Sequence, residues 1–308
     1  MNKNLVSFLS LLLCLVFVGS CKKDHTNKVP VADAGPSMST TPPKDSVTLT
    51  GSGTDADGKI SSYLWSQVSG PNSSLIANPS SANTLLSGLI TGTYVLQLMV
   101  VDNQGATGVD TVSIVVNPSP IDTLNVQPEQ NQNEVMIWGN STNLEESWAG
   151  SPETGGAAWT SGNPVFERGA LQFDLSQIAK TATIMSANLY LYSESQPING
   201  DLVHSNSGAD NSLLVQQITQ PWVASAVKWT NQPSSTETDE VIVPSTTSAS
   251  LDLNIDVKAL VANMVSQNEN YGFLLKLQTE TAYTSRLFCS SFNSDTSKHP
   301  KLVVVYKY

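Results

Sequence analysis

The clearest alternation of apolar and polar positions runs from Arg168 to Glu194, RGALQFDLSQIAKTATIMSANLYLYSE. Leu171, Phe173 and Leu175 alternate with Gln172 and Asp174; Ala187, Leu189 and Leu191 alternate with Asn188, Tyr190 and Tyr192. Successive strand side chains point to opposite faces, so this spacing predicts two β-strands, each with one face fit for a core. Further on, Leu251, Leu253, Ile255 and Val257 fall on one face of LDLNIDV, and FLLKL and KLVVVYKY read as strands. One helix is predicted from Asp256 or Val257 to Val265, with Leu260, Val261, Met264 and Val265 as its apolar stripe. It stops before the turn Asn270-Tyr271-Gly272.

Upstream, Val47, Leu49 and Gly51 lead into the turn Asp55-Ala56-Asp57-Gly58, followed by Ile60, Tyr63 and Trp65. GTYVLQLMVVDNQGATGVDTVSIVV supplies two more strands around Asp102-Asn103-Gln104-Gly105. Short strands with Asp-Gly punctuation predict a small β-sandwich. Asn117-Pro118-Ser119-Pro120 interrupts the pattern, because prolines stiffen a linker and cannot continue a central strand. The expected organisation is a leader over 1–20, a tether over 21–29, one domain over 30–117, a proline linker over 118–121 and a second domain over 122–308. The fold class is all-β: an immunoglobulin-like sandwich, then a jelly-roll-like sandwich with one short helix.

The first twenty residues break the period. Lys3 and the apolar run Leu5 to Val18 have the form of a secretory leader, too short and wrongly flanked for a membrane span. The leader ends Val18-Gly19-Ser20-Cys21, which resembles the bacterial lipobox, and this implies that Cys21 is acylated and becomes the new N-terminus. Several acyl chains on one residue anchor stably where one would not. Lys22-Lys23-Asp24 resembles the export signals of surface lipoproteins in Bacteroidetes-type bacteria, which implies an outer-membrane lipoprotein facing outward. With Cys14 in the leader and Cys21 acylated, Cys289 stands alone, so no intramolecular disulfide can form. It sits in the run RLFCSS and is expected to be buried as a small apolar residue.

Two stretches carry family resemblances. Residues 30–117, with P-x-A-x-A-G, D-A-D-G-x-I-x-x-Y-x-W and G-T-Y-x-L-x-L-x-V-x-D, resemble a PKD-type immunoglobulin-like domain. The resemblance implies a spacer role; some such domains bind calcium, which would make Asp55, Asp57 and Asp102 the candidate ligands here. Asp-Gly is also a turn former, which leaves a purely structural role open. The R-x-x-L-x-F-D-L-S strand, A-T-I-x-S-A-x-L-x-L-Y, P-W-x-x-x-x-V-K-W-x-N-Q-P from Pro221, D-V-x-A-L-V from Asp256, N-Y-G-F-L-L-K from Asn270 and Pro300-Lys301-Leu302-Val303-Val304 resemble the DNRLRE family. These are secreted jelly-roll-like modules, some classed as carbohydrate-binding, with alginate among their ligands. Phe292 stands where that family usually has an acidic residue.

A formal charge of −11 with only 13% charged residues argues against nucleic acid, whose phosphates demand a basic surface. The three histidines, His25, His204 and His299, have no nucleophile elbow or metal spacing near them, so no enzyme and no cofactor beyond structural calcium is expected. The implied partner is a polysaccharide, alginate or another plant or algal glycan, and the protein is expected to be monomeric. Sugar rings stack their C–H faces on aromatic planes, which makes Trp138, Trp148 and Trp159 candidates, the last two in the loop-like stretch ESWAGSPETGGAAWTSGNP. Tyr190 and Tyr192 form a second candidate platform; Trp65, Trp222 and Trp229 are expected in the cores. The two arginines, Arg168 and Arg286, could grip an acidic sugar with Lys228 or Lys276, or could pair internally with Asp174 or Glu167. The alternative function is a structural or adhesive surface scaffold with no glycan affinity.

Overall fold

The computed structural model describes residues 26–129, 133–140, 145–160, 163–198 and 204–308. The predicted leader and Cys21 lie outside these residues. The protein is all-β, 49% strand against 6% helical, so the period-two patterns set the architecture. It divides into two compact units, one over 26–40 and 44–117, the other over 41–43 and 118–308.

The first unit holds nine strands: β1 (Val31–Asp33), β2 (Met38–Thr40), β3 (Val47–Thr50), β4 (Ser52–Thr54), β5 (Ile60–Ser69), β6 (Leu75–Ile76), β7 (Asn83–Ser87), β8 (Gly92–Asp102) and β9 (Thr107–Val116). One sheet runs β2-β9-β8-β5 and another β3-β7-β6, with β1 paired to β4. Leu49, Trp65, Leu86, Tyr94, Leu96, Leu98 and Ile114 fill the core between them. Trp65 is 2% exposed, as expected of a core residue, and its indole donates to the Ala82 carbonyl at 3.2 Å. The turn aspartates have backbone work to do. Asp102 accepts from Gln104 and Ala106 N–H groups and from the Asn27 side chain. Burial pushes its pKa up, but these hydrogen bonds outweigh burial and hold it below the ordinary value. Asp55 accepts from the Asp57 N–H, and Asp57 from that of Lys28. Among the described residues no set of three or more acidic, histidine or cysteine side chains gathers.

The second unit holds β10 (Ile121–Val126), β11 (Glu134–Gly139), β12 (Glu145–Trp148), β13 (Glu153–Thr160), β14 (Pro164–Leu171), β15 (Thr183–Leu191), β16 (Asn206–Ser207), β17 (Leu213–Ile218), β18 (Ser235–Val243), β19 (Leu253–Asp256), α1 (Lys258–Gln267), β20 (Phe273–Leu277), β21 (Thr284–Cys289) and β22 (Lys301–Lys307). A four-stranded sheet runs β10-β22-β15-β19; a nine-stranded sheet runs β16-β21-β13-β14-β20-β17-β18, with β11 on the other edge of β14 and β12 beyond it. The alternating residues meet between them: Leu171, Val215, Phe273 and Leu275 from one sheet, Ala187, Leu189, Leu191, Ile255, Leu302 and Val304 from the other; the strand predicted to run on through Phe173 and Leu175 ends at Leu171, and these two reach the core from the segment that follows. Helix α1 adds Leu260, Val261, Met264 and Val265 and ends at Asn268, whose left-handed φ of 57° lets its N–H cap the last carbonyls. Leu251 departs from its expected face: β19 starts only at Leu253, and Leu251 is 41% exposed.

The large sheet splits along β14. Its residues 164–168 pair with β13, while Gly169–Leu171 pair with β20 on the same edge. The split passes through Gly155 and Gly156. Gly155 has φ +132°, and a Cβ on Gly156 would lie 2.6 Å from the Leu277 amide nitrogen. Backbone on backbone leaves nothing to yield, so Gly156→Ala is expected to cost about 3 kcal/mol or more. A thermal melt that stays within two degrees of wild type would refute this account of the split.

Candidate functional site: an aromatic and acidic sheet face

The stretch expected as a loop is in fact two strands. Glu153–Thr160, ETGGAAWT, lacks an alternating pattern because glycine and alanine occupy the positions where β13 crowds its neighbours. Register then does what sequence spacing could not. On β14, Glu167 is paired with Trp138 of β11 on one side and Ala157 of β13 on the other. Trp138 is also paired with Glu146 of β12, and Trp148 with Met136 of β11. Trp159 lies two positions beyond Ala157, paired with Val165. Directly paired residues share a face, so Trp138, Trp148 and Trp159 stand on the face that carries Glu167. Met136, Ala157 and Leu287 form a small buried cluster there, with Trp159 packed against it. Trp148 is 38% exposed; Trp138 and Trp159 are half-buried.

Carboxylates ring this cluster, of which the sequence had pointed only to Glu167, and that as a partner for Arg168. Glu134, Glu153 and Glu167 are each at most 2% exposed. One Glu134 oxygen accepts the Ser291 N–H at 2.7 Å, while the other has no partner. Burial raises this carboxyl to about 7, against the lowering effect of Ser291. Burial and then the charge of Glu153 raise Glu167 to about 8. The Trp159 indole opposes that rise without completing a hydrogen bond, since its N–H, that of Trp138 and one Glu167 oxygen are all buried without a partner. The Ile198 N–H donates to Glu153 at 3.1 Å. A strand glutamate flanked by small residues, as in E-R-G-A and E-T-G-G, was the signal that could have exposed them.

The other candidates stand elsewhere. Arg168 does not pair with Asp174 or Glu167. Its guanidinium grips both Glu280 oxygens at 2.8 and 2.9 Å, donates to Gln232 at 2.9 Å and lies 4.5 Å from the Trp229 ring centre, so its donors are already engaged. Alternation on β14 turns it to the face opposite Glu167. Arg168→Ala leaves Glu280 unpaired. Because the pair is partly solvated, the expected loss is about 1 kcal/mol, and a chemical-denaturation midpoint unchanged by the substitution would contradict it. Arg286 is 0% exposed and donates to Asn211 and the Pro244 carbonyl, which removes it from any surface that binds ligand. Lys276 lies half-buried on β20, in the alternate register from the core residues Phe273 and Leu275. Tyr190 is on the small sheet, where the Lys301 ammonium sits 4.7 Å from its ring centre; Tyr192 follows the end of the same strand. Trp222 and Trp229, expected in the core, are instead half-buried, packed over a second cluster around Val135, Ile137 and Leu274. Cys289 is buried as expected, its thiol raised to about 12 by burial and the neighbouring Glu194.

Residues 34–116 match the K319L-like PKD domain family, and residues 154–306 match carbohydrate-binding module family 96. The chain carries a PKD domain and a carbohydrate-binding module. The PKD part is similar to mouse dyslexia-associated protein KIAA0319-like protein, 41% identical over 92 residues, which are 30% of this chain and 9% of that protein. Human dyslexia-associated protein KIAA0319 is 38% identical over 99 residues, 31% of this chain and 9% of its own. The chain thus spans about a tenth of these relatives. The solved PKD domain from KIAA 1837 protein is 38% identical with a TM-score of 0.28, over 30% of this chain and 91% of that one. Both domains are of non-catalytic kinds, and the module supports carbohydrate binding.

Proposed function

We propose that the protein binds polysaccharide non-catalytically through its module, with the tryptophan face as the contact surface and the PKD domain as a spacer. One observation carries the assignment of the site: strand register places Trp138, Trp148 and Trp159 on one face beside buried polar groups that lack partners. Aromatic planes supply stacking, and the unpartnered N–H and carboxyl groups supply the few directed contacts that orient a sugar. The lipobox-like Cys21 completes the reading: an acylated N-terminus holds the chain at the outer membrane, and the spacer presents the module outward. Affinity electrophoresis of the mature chain through gels containing alginate, pectin, xylan or β-glucan tests the binding. Retardation in at least one gel is expected. Migration unchanged in all of them, by a protein shown to be folded, favours the scaffold alternative.

A further inference from the structure

The small sheet has an outer face that the core does not use. Ala187, Leu189, Leu191, Ile255, Leu302 and Val304 point inward, each at most 5% exposed. Alternation turns the residues between them outward, and register sets these in rows. Asn125 of β10, Val303 of β22, Asn188 of β15 and Asp256 of β19 stand abreast across all four strands. In the next row Lys301, Tyr190 and Asn254 stand abreast on β22, β15 and β19. Asn125, Asn254 and Asp256 are exposed and the other four are half-buried. Strands disfavour asparagine and aspartate, yet three of these four strands carry them at outward positions. Among the described residues, no contact inside the fold offsets that cost for the asparagines: none of the three carboxamides has a hydrogen-bond partner. Each keeps two donors and an acceptor free. Tyr190 is held upright between its neighbours. The Lys301 ammonium lies 4.7 Å from its ring centre on one side, and the exposed Asn254 is paired with it on the other.

Resting on the carbohydrate-binding reading, we infer that this outer face is a second, weaker contact surface of the module, for a neutral polysaccharide lying across the strands. The Tyr190 ring stacks against one sugar, and Asn188, Asn254 and Asn125 exchange hydrogen bonds with hydroxyls of that sugar and its neighbours. A hydroxyl donates and accepts at once, as a carboxamide does, so each amide can meet a pair of adjacent hydroxyls. Strands lie ~4.8 Å apart and outward residues recur every ~6.8 Å along each, intervals close to the size of a sugar ring. A rigid sheet backed by a filled core keeps those intervals fixed without ligand. Charge sets the class. Lys301 and Asp256 are the charged residues of the two rows and balance each other, while Lys307 stands two rows beyond. A polyuronide brings a carboxylate on every sugar with one ammonium, already against Tyr190, to meet them.

The test uses the full chain carrying Trp148→Ala, which disables the tryptophan face, in affinity electrophoresis through xylan, β-glucan, alginate and pectin gels. Weak retardation is expected to remain in the xylan or the β-glucan gel. Adding Tyr190→Ala should weaken that residual affinity about tenfold, as loss of an aromatic anchor does. Adding Asn254→Ala should weaken it about threefold, the effect of one hydrogen-bonding side chain. Asn254 is exposed on an edge strand, so its truncation leaves the melting temperature unchanged and keeps the test decisive even if Tyr190→Ala unfolds. Three results overturn the inference while leaving the carbohydrate reading intact, given that the wild type is retarded. Trp148→Ala is retarded in no gel; its residual retardation is the same with and without Asn254→Ala; or that retardation occurs only in alginate or pectin. If the wild type itself is retarded in no gel, both readings fall together.

Discussion

Replacing Glu167 by glutamine stabilises the protein at alkaline pH and flattens its stability profile. Glu167 is raised from 4.5 to about 8, chiefly by burial and then by the charge of Glu153; Glu134 is raised to about 7 by burial. Both folded-state values lie above the unfolded one, so the folded protein binds more protons in between. The stability these groups contribute is fully present below pH 4.5 and is lost as pH rises through about 7 and about 8. Each tenfold gain in proton affinity on folding corresponds to ~1.4 kcal/mol. An amide of the same shape cannot ionise and escapes the upper part of that loss. Five of the six tryptophans lie between 138 and 229, so indole fluorescence reports unfolding of the module. Thermal melts of the full chain at about pH 5 and about pH 9 should differ widely for the wild type and much less for Glu167→Gln. An equal pH dependence in the two proteins would show that Glu167 ionises freely in the fold.

Trp148→Ala should abolish most glycan affinity while leaving the fold intact. Trp148 ends β12, whose one partner among the described strands is β11, and is the most exposed tryptophan of the site. Truncating a tryptophan at the centre of a contact commonly costs ~2 kcal/mol or more, roughly a 30-fold loss. Trp159→Ala should lose both binding and stability, because its ring also covers Met136, Ala157 and Leu287 and its removal opens a void. Trp229→Ala provides the contrast. It removes the ring beneath Arg168 and the stack on Phe166, on the opposite side of the sheet, so it should lower the melting temperature and spare affinity. Affinity electrophoresis and melts of the three variants check the set. If Trp148→Ala migrates like wild type in the retarding gel while Trp229→Ala is freed, the site lies on the other face.

The architecture was legible because its signals are local. Leu171, Phe173, Ala187, Leu189 and Leu191 announce their faces two residues at a time, and all of them reach the core. The apolar stripe of α1 did the same at helical spacing. Register is different, because it depends on which strand lies beside which. Nothing in the order of residues says that Trp138, Glu167 and Ala157 stand in one row. The strand β13 was hidden by its own function in the fold: Gly155 and Gly156 remove side chains where two backbones meet, and with them the alternation that marks a strand.

The sequence by itself determined the strand faces, the helix and the tryptophans worth testing, since each follows from spacing along a single segment. Tertiary structure alone decided their company. It gathered three tryptophans and three buried glutamates from four strands, took Arg168 into the grip of Glu280 and sealed Arg286 inside. Burial and neighbouring charge fix whether a carboxyl keeps its proton or a guanidinium stays free, and both are properties of what lies across a strand pair, not of what comes next in the chain.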